Sequence, residues 1–284
     1  MVSQTRRALV LTLGAALAGG AATPAFAGGT GRTRAVTPLR QAHAHNDYEH
    51  PRPLLDALAH GFTSVEADIW LVDGELLVAH DAVDLDPART LRSLYLDPLA
   101  RLVRANHGSV YRGHDLSLQL LIDIKTAGDP TYRALARTLR RYAPLFSTAH
   151  GPAVRRGPVT AVISGDRAAR VPMDAERVRR AFYDGRPEDL GSGVPASFMP
   201  LISGNWNHSF TWQGVGPMPA AERERLRRTV ATAHGHGQRV RFWATPDLPG
   251  PARTAVWNEL LTAGVDHINT DDLAGLEDFL RRVR

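Results

Sequence analysis

Short β-rich runs alternate with amphipathic helical runs from about residue 39 onward, and no other feature limits the fold as much. The β-like runs fall at 39–45, 62–69, 118–124, 158–164, 179–183, 198–203, 239–244 and 266–270. Helical periodicity covers 51–60, 88–105, 130–142, 219–236, 251–263 and 272–282. Eight strands with intervening helices in roughly 250 residues predict an α/β protein, a single-domain (β/α)8 TIM barrel over residues 39–284. No linker or internal repeat interrupts this stretch. Nearly every predicted strand ends in groups able to do chemistry: His45-Asn46-Asp47, Glu66/Asp68, Asp123/Lys125, Ser164, Asp184, Ser203/Asn205, Trp243/Asp247 and Thr270-Asp271. Barrel enzymes place their active sites at that end of the strands, although loops are polar in any case.

The first residues follow a different pattern. Arg6-Arg7 precedes an apolar run from Ala8 to Ala22, and Ala25-Phe26-Ala27 has the small-x-small form of a cleavage site. A signal peptide over residues 1–27, a flexible leader over 28–38 and a secreted protein are therefore expected. The run is short for a membrane span and is broken by Gly14, Gly19 and Gly20. Thr5-Arg6-Arg7-Ala8-Leu9 resembles a twin-arginine export signal, with Sec export an equal alternative. The chain has no cysteine, so an exported domain must fold without disulfides. Its 34 basic residues outnumber 29 acidic ones, but without Arg6 and Arg7 the excess is three. Basic runs such as 223–228 are interleaved with acids, so nucleic-acid binding is not expected. A monomer is.

In "SVEADIWLVDGELLVAHD" (64–81), Val65, Ala67 and Ile69 share one strand face, and Glu66, Asp68 and Trp70 share the other. In a barrel this aims two carboxylates into the mouth, where they need cations, and a hard divalent ion suits converging oxygens. Asp73-Gly74 signals a tight hairpin that returns the chain to His80. Strict two-residue pairing sets residue 80 opposite residue 67, so His80 reaches the carboxylate face only if the hairpin bulges or splays. "LSLQLLIDIKTAGDP" is the most apolar strand and ends in Asp123 and Lys125 at i, i+2. Lys125 is the only lysine in the sequence. A compact ammonium beside an acid suits a phosphoryl oxygen next to a metal; a plain salt bridge to Asp123 is the alternative.

These residues resemble the barrel phosphodiesterases, which include glycerophosphodiester phosphodiesterases, sphingomyelinase D and phosphatidylinositol-specific phospholipase C. "HAHNDYEHPRPLLDALAHGFTSVEAD" looks most like the group containing the fungal altered-inheritance-of-mitochondria protein six. The resemblance spans nearly all of residues 41–280. It implies that His45, His80 and Lys125 are catalytic, that Glu66, Asp68 and Asp123 bind one divalent cation, Mg2+ or Ca2+, and that Trp243, Asn46 and Asn205 contact substrate. Asp123-Ile124-Lys125 is similar to the sphingomyelinase D version of the third ligand. Asn46 departs from the His-Arg-Gly of glycerophosphodiesterases, and the interval from Asp68 to His80 is one residue short of the usual pattern. The implied activity is hydrolysis of a phosphodiester, or cyclic-phosphate formation, on glycerophosphodiesters or phospholipid head groups. Aromatic residues in "NWNHSFTW" (205–212) would then supply transient contact with a membrane surface.

Two other readings compete. His43-x-His45 with Asp271 is similar to the zinc amidohydrolase barrels, although His208 is the only further ligand near a strand end. The other is a barrel that binds lipid or sugar without catalysis.

Overall fold

The computed structural model describes residues 36–283; the proposed signal peptide and nearly all of the leader lie outside the described residues. Eight parallel strands close on themselves in sequence order: β1 (Leu39–Ala44), β2 (Phe62–Val72), β3 (Leu118–Ile124), β4 (Val159–Gly165), β5 (Ala181–Gly185), β6 (Leu201–Asn205), β7 (Arg239–Trp243) and β8 (His267–Thr270). Closure comes from β1, which pairs with β2 on one side and β8 on the other. The expected TIM barrel is thus present.

Strand alternation divides the side chains. Val65, Ala67 and Ile69 of β2 point outward and are fully buried, as are Leu118, Leu120 and Ile122 of β3, in the core beneath the helices. Inside the barrel, Leu121, Val162, Phe182 and Leu201 form a small apolar cluster. The rest of the interior is polar, including buried His43, Ser64, Gln119, Arg241, His267 and Asn269. Burial of that many polar groups is tolerable only if they satisfy one another.

The helices Gly128–Arg141, Ala220–Gly235, Pro251–Ala263 and Leu273–Arg282 fall where periodicity places them. The 51–60 stretch is helical only at Leu55–Ala59, and the 88–105 stretch opens with a π turn at Arg92–Leu96 before the α-helix Asp97–Ala105. β5 and β6 begin at Ala181 and Leu201, two to three residues later than expected. The segment between β3's helix and β5 also carries a small antiparallel sheet of Thr148–His150, Ala153–Arg155 and Val178–Arg179. Between β5 and β6 the helical turn Pro187–Asp189 stands where the fold usually has a full helix.

The hairpin after β2 forms as expected. Asp73 and Gly74 take positive φ (48° and 88°), and the return strand Glu75–Val78 pairs Val72 with Glu75 and Ile69 with Val78. The ladder ends at Val78, two residues before His80. His80 therefore turns to the carboxylate side without a bulge, and Trp70 holds the departing chain through a 2.9 Å bond from Nε1 to the Ala79 carbonyl.

Candidate active site

Register brings the carboxylates together. β2 and β3 pair Asp68 with Asp123, and both point inward from the C-terminal ends of their strands. Lys125 lies between them, its Nζ 2.9 Å from Asp68 Oδ2 and 2.9 Å from Asp123 Oδ2. The lysine bridges two acids rather than pairing with Asp123 alone. Asp68 is 1% exposed, and its Oδ1 has no hydrogen-bond partner. Burial, with the like charges of Glu66 and Asp123, pushes the Asp68 pKa up to about 6 despite Lys125.

Glu66 sits deeper, where Arg241 Nη2 lies 2.7 Å from its Oε2 and His43 Nε2 lies 3.2 Å from the same oxygen. Burial favours the neutral acid, but Arg241 and His43 outweigh it and hold the Glu66 pKa well below the usual range. His43 is pushed down to about 4 by burial and by Arg241, so it is neutral at ordinary pH. Its Nδ1 is 2.7 Å from Ser64 Oγ, which in turn accepts a 2.8 Å bond from Gln119 Nε2. Gln119 Oε1 accepts a 2.7 Å bond from Arg239 Nη2. A column Arg239–Gln119–Ser64–His43–Glu66 therefore crosses the barrel interior, and every bond in it is consistent with a His43 that donates from Nε2 and accepts at Nδ1.

The two other histidines stand at the rim. His45 Nδ1 lies 2.8 Å from Asp271 Oδ1, leaving Nε2 toward the mouth. Burial opposes its charged form, yet the bond to Asp271 and the charge of Glu66 raise its pKa overall. Asp271 is held by its own amide, which donates to Asp247 Oδ2 at 2.7 Å. His80 Nδ1 is 3.2 Å from Asp68 Oδ2 and 3.1 Å from the Tyr48 hydroxyl. That hydroxyl is also 2.7 Å from both Asp68 Oδ2 and Asn46 Oδ1.

Among the described residues, no group of three or more His, Asp or Glu side chains stands ready to hold a metal ion. The carboxylates are instead compensated by Lys125 and Arg241. The donor chemistry still suits a hard divalent cation: Asp68 and Asp123 present oxygens at the mouth with Glu66 deeper on the same strand face, and the buried Oδ1 of Asp68 has no hydrogen-bond partner.

The structure thus gathers seven of the expected residues at the C-terminal end of the barrel in three groups: Asn46, Asp68, His80, Lys125 and Asp123 around the Tyr48 hydroxyl and the lysine, Glu66 with His43 and Arg241, and His45 with Asp271. Trp243, 37% exposed, ends β7 beside Asn205 of β6. The Asn205 side-chain oxygen is engaged in capping the following turn, accepting from Asn207 N at 2.8 Å. Aromatic contact with a membrane through 205–212 does not hold: Trp206, Phe210 and Trp212 are all buried, and Trp206 Nε1 is bonded to the Trp212 carbonyl. The zinc arrangement also fails, because His43 spends both ring nitrogens inside the barrel and Asp271 serves His45.

Three residues given no role by the sequence complete the mouth. Tyr48 ties His80 to Asp68, Arg241 neutralises Glu66, and Arg186 reaches Asp184 at 2.7 Å and Ser164 at 3.0 Å. Arg241 had a usable signal, since it falls at the inward period of an apolar strand, where a charge demands a buried partner.

A family model described as an AIM6-like phosphodiesterase domain matches residues 30–184. The chain belongs to this family. A second model, the glycerophosphoryl diester phosphodiesterase family, matches residues 239–274, which include β7 and β8. Altered inheritance of mitochondria protein 6 from Eremothecium gossypii is 31% identical, covering 87% of this chain and 71% of that protein. The homolog from Arthroderma benhamiae is 27% identical over 88% of this chain and 87% of its own length. Among solved structures, a glycerophosphoryl diester phosphodiesterase from Parabacteroides distasonis superposes with a TM-score of 0.50 at 15% identity, covering 88% of each chain. That likeness speaks for the shared barrel. The AIM6-like match covers β1 to β4 and nearly all of β5, with both rim histidines, all three carboxylates and Lys125.

Proposed function

We propose that this AIM6-like phosphodiesterase domain is a divalent-cation-dependent phosphodiesterase that cleaves glycerophosphodiesters or phospholipid head groups, with His45 and His80 as its acid–base pair. One observation carries the reading: two imidazoles, each oriented by a carboxylate, stand at the same barrel mouth as the Asp68–Lys125–Asp123 cluster.

Glu66, Asp68 and Asp123 are the residues that would hold the cation. Mg2+ or Ca2+ there would supply positive charge against the phosphoryl oxygens as negative charge develops. Lys125 adds a second compact charge at the same place and keeps the two aspartates apart. Asp271 and Asp68 hold Nδ1 of His45 and His80 respectively, so each ring offers Nε2 to the substrate. One imidazole takes a proton from the attacking oxygen and the other gives one to the leaving oxygen. If the attacker is a substrate hydroxyl the product is a cyclic phosphate; if it is water, a monoester. Trp243, Asn46 and Asn205 line the approach and contact the head group. Lipid contact, if the substrate is presented in a membrane, falls to exposed Leu248 and Val83 in the loops after β7 and His80.

Bis(4-nitrophenyl) phosphate tests the chemistry independently of the head group. Nitrophenolate release that requires Mg2+ or Ca2+ and disappears in His80→Ala is expected; release unaffected by chelation and by this substitution would contradict the proposal.

Binding of the cation should also depend on pH in a defined direction. Because the folded Asp68 pKa is raised to about 6, the folded state binds this proton more tightly than the unfolded chain does, and stability falls as pH rises from about 4 through 6. A cation competes with the proton, so the rise in thermal midpoint on adding Mg2+ or Ca2+ is expected to be larger at pH 7.5 than at pH 5. An equal rise at both, by calorimetry, would separate the ion from Asp68.

Lys125→Arg probes the lone lysine. A guanidinium is too broad to fit between two carboxylates in the same way, so a fall in kcat of about tenfold or more with little change in thermal midpoint is expected. Unchanged turnover would reduce Lys125 to a generic counter-charge.

Export completes the proposal. N-terminal sequencing of protein recovered from the medium is expected to start near Gly28, and an intact Met1 would refute it.

A further inference from the structure

The barrel has a second polar opening at its other end. Around the N-terminal ends of the strands lies a cavity of about 630 Å3, with Arg40, Arg156 and Arg239 among its lining residues and Asp266 as the sole carboxylate among them. Asp266 is already engaged, accepting from His234 Nε2 at 2.9 Å and from the Val240 amide at 2.8 Å.

Arg239 is the unusual group. Its guanidinium bonds to neutral acceptors, Gln119 Oε1 at 2.7 Å and His267 Nε2 at 3.0 Å, and among the described residues no carboxylate pairs with it. Burial pushes its pKa down, with Asp266 and Asp184 opposing only from a distance. By accepting at Nε2, His267 is fixed as the Nδ1–H tautomer, and its buried Nδ1 has no partner. A half-buried cation with no carboxylate partner, beside an unused donor, has capacity left for something negative. Arg40 also makes no ion pair among the described residues, whereas Arg156 pairs loosely with the exposed Asp115 at 3.6 Å. Between these charges the walls carry apolar Leu116, Val154, Phe182 and Val265 alongside the hydroxyls of Ser117, Ser147 and Thr160.

We propose that this cavity is a binding site for a small amphiphilic anion, with a phosphate or carboxylate head against Arg239, Arg40 and Arg156 and an apolar body against the walls. Arg239 is held ready for it by the column through Gln119 and Ser64, which fixes the guanidinium before any ligand arrives. Preorganised, forked donors suit either head group. The site lies at the pole opposite the rim histidines and does not depend on the phosphodiesterase reading.

Isothermal titration of the purified protein with octyl phosphate, octanoate and octanol, each kept below its micellar concentration, tests this. Saturable one-to-one binding of at least one anion and none of octanol is expected. Arg40 and Arg156 are exposed, so the Arg40→Ala/Arg156→Ala variant keeps its fold, and it is expected to bind about tenfold or more weakly. His45→Ala is expected to bind as the wild type does. Binding of octyl phosphate alone would identify a phosphate head, and of octanoate alone a carboxylate. No saturable binding of either anion, equal affinity in the double variant, or loss of binding in His45→Ala would each overturn the site.

Discussion

Replacing His45 with alanine is expected to lower kcat by about 10^2 to 10^4-fold, the usual contribution of a positioned acid or base, while leaving the thermal midpoint nearly unchanged. The ring sits at the rim and its one side-chain hydrogen bond goes to Asp271, whose side chain is 57% exposed, so little folding energy is lost with it. Asp271→Asn provides a finer test. The bond to Asp271 helps to raise the His45 pKa, so losing the carboxylate should lower that pKa and move the corresponding limb of the pH–rate profile to lower pH. A fall in kcat with no movement of either limb would mean that Asp271 does not act through His45. A His45→Ala enzyme with wild-type turnover would remove the histidine from the chemistry.

The largest effect on folding is expected from Arg241→Met. Arg241 is 3% exposed, bonds to Asn269 Oδ1 at 2.9 Å and neutralises Glu66 at 2.7 Å. Removing one partner of a buried pair strands the other, at a cost of about 3–5 kcal/mol. For a domain of this size that corresponds to a midpoint lower by roughly 6–20 °C. The pair also sets a pH dependence. The Glu66 pKa is depressed in the folded state, so its contribution is present above the unfolded value of 4.5 and is lost as pH falls through the lower folded value. Arg241→Met should therefore lose most of its stability relative to wild type at neutral pH and much less near pH 3. Adding Glu66→Gln to Arg241→Met removes the stranded charge and is expected to restore much of the midpoint without restoring activity. A single variant as stable as the wild type at pH 7 would show that Glu66 has another counter-charge.

Much of this site was legible because strand alternation acts locally. Glu66 and Asp68 lie two residues apart on β2, as Asp123 and Lys125 do at the end of β3, so their common direction follows from the sequence, and parallel pairing in register does the rest. The inward period of its strand signals that Arg241 needs a buried partner, but which one was not legible, because that partner is a glutamate 175 positions away across the closed barrel. How His80 reaches the carboxylate face was left open, because strict pairing holds only while a ladder continues; the strand stops at Val78, and the chain is then free to turn. The aromatic residues of 205–212 look like surface contacts in a polar stretch, yet Trp206 and Phe210 stack 4.2 Å apart beneath β7, packed against Phe242. Short elements such as Thr148–His150 and Ala153–Arg155 are too brief to leave a periodic signal.

The central claim is that the mouth of this barrel cleaves phosphodiesters with the help of a divalent cation. 31P NMR of the purified protein with glycerophosphocholine, lysophosphatidylcholine and sphingomyelin, in Mg2+ or Ca2+ and again with EDTA, tests it most directly. The account predicts a new phosphorus signal from at least one substrate that EDTA abolishes and that His45→Ala fails to produce, its shift separating a cyclic phosphate from a monoester. A signal of equal size in EDTA, or in the His45 variant, would contradict it.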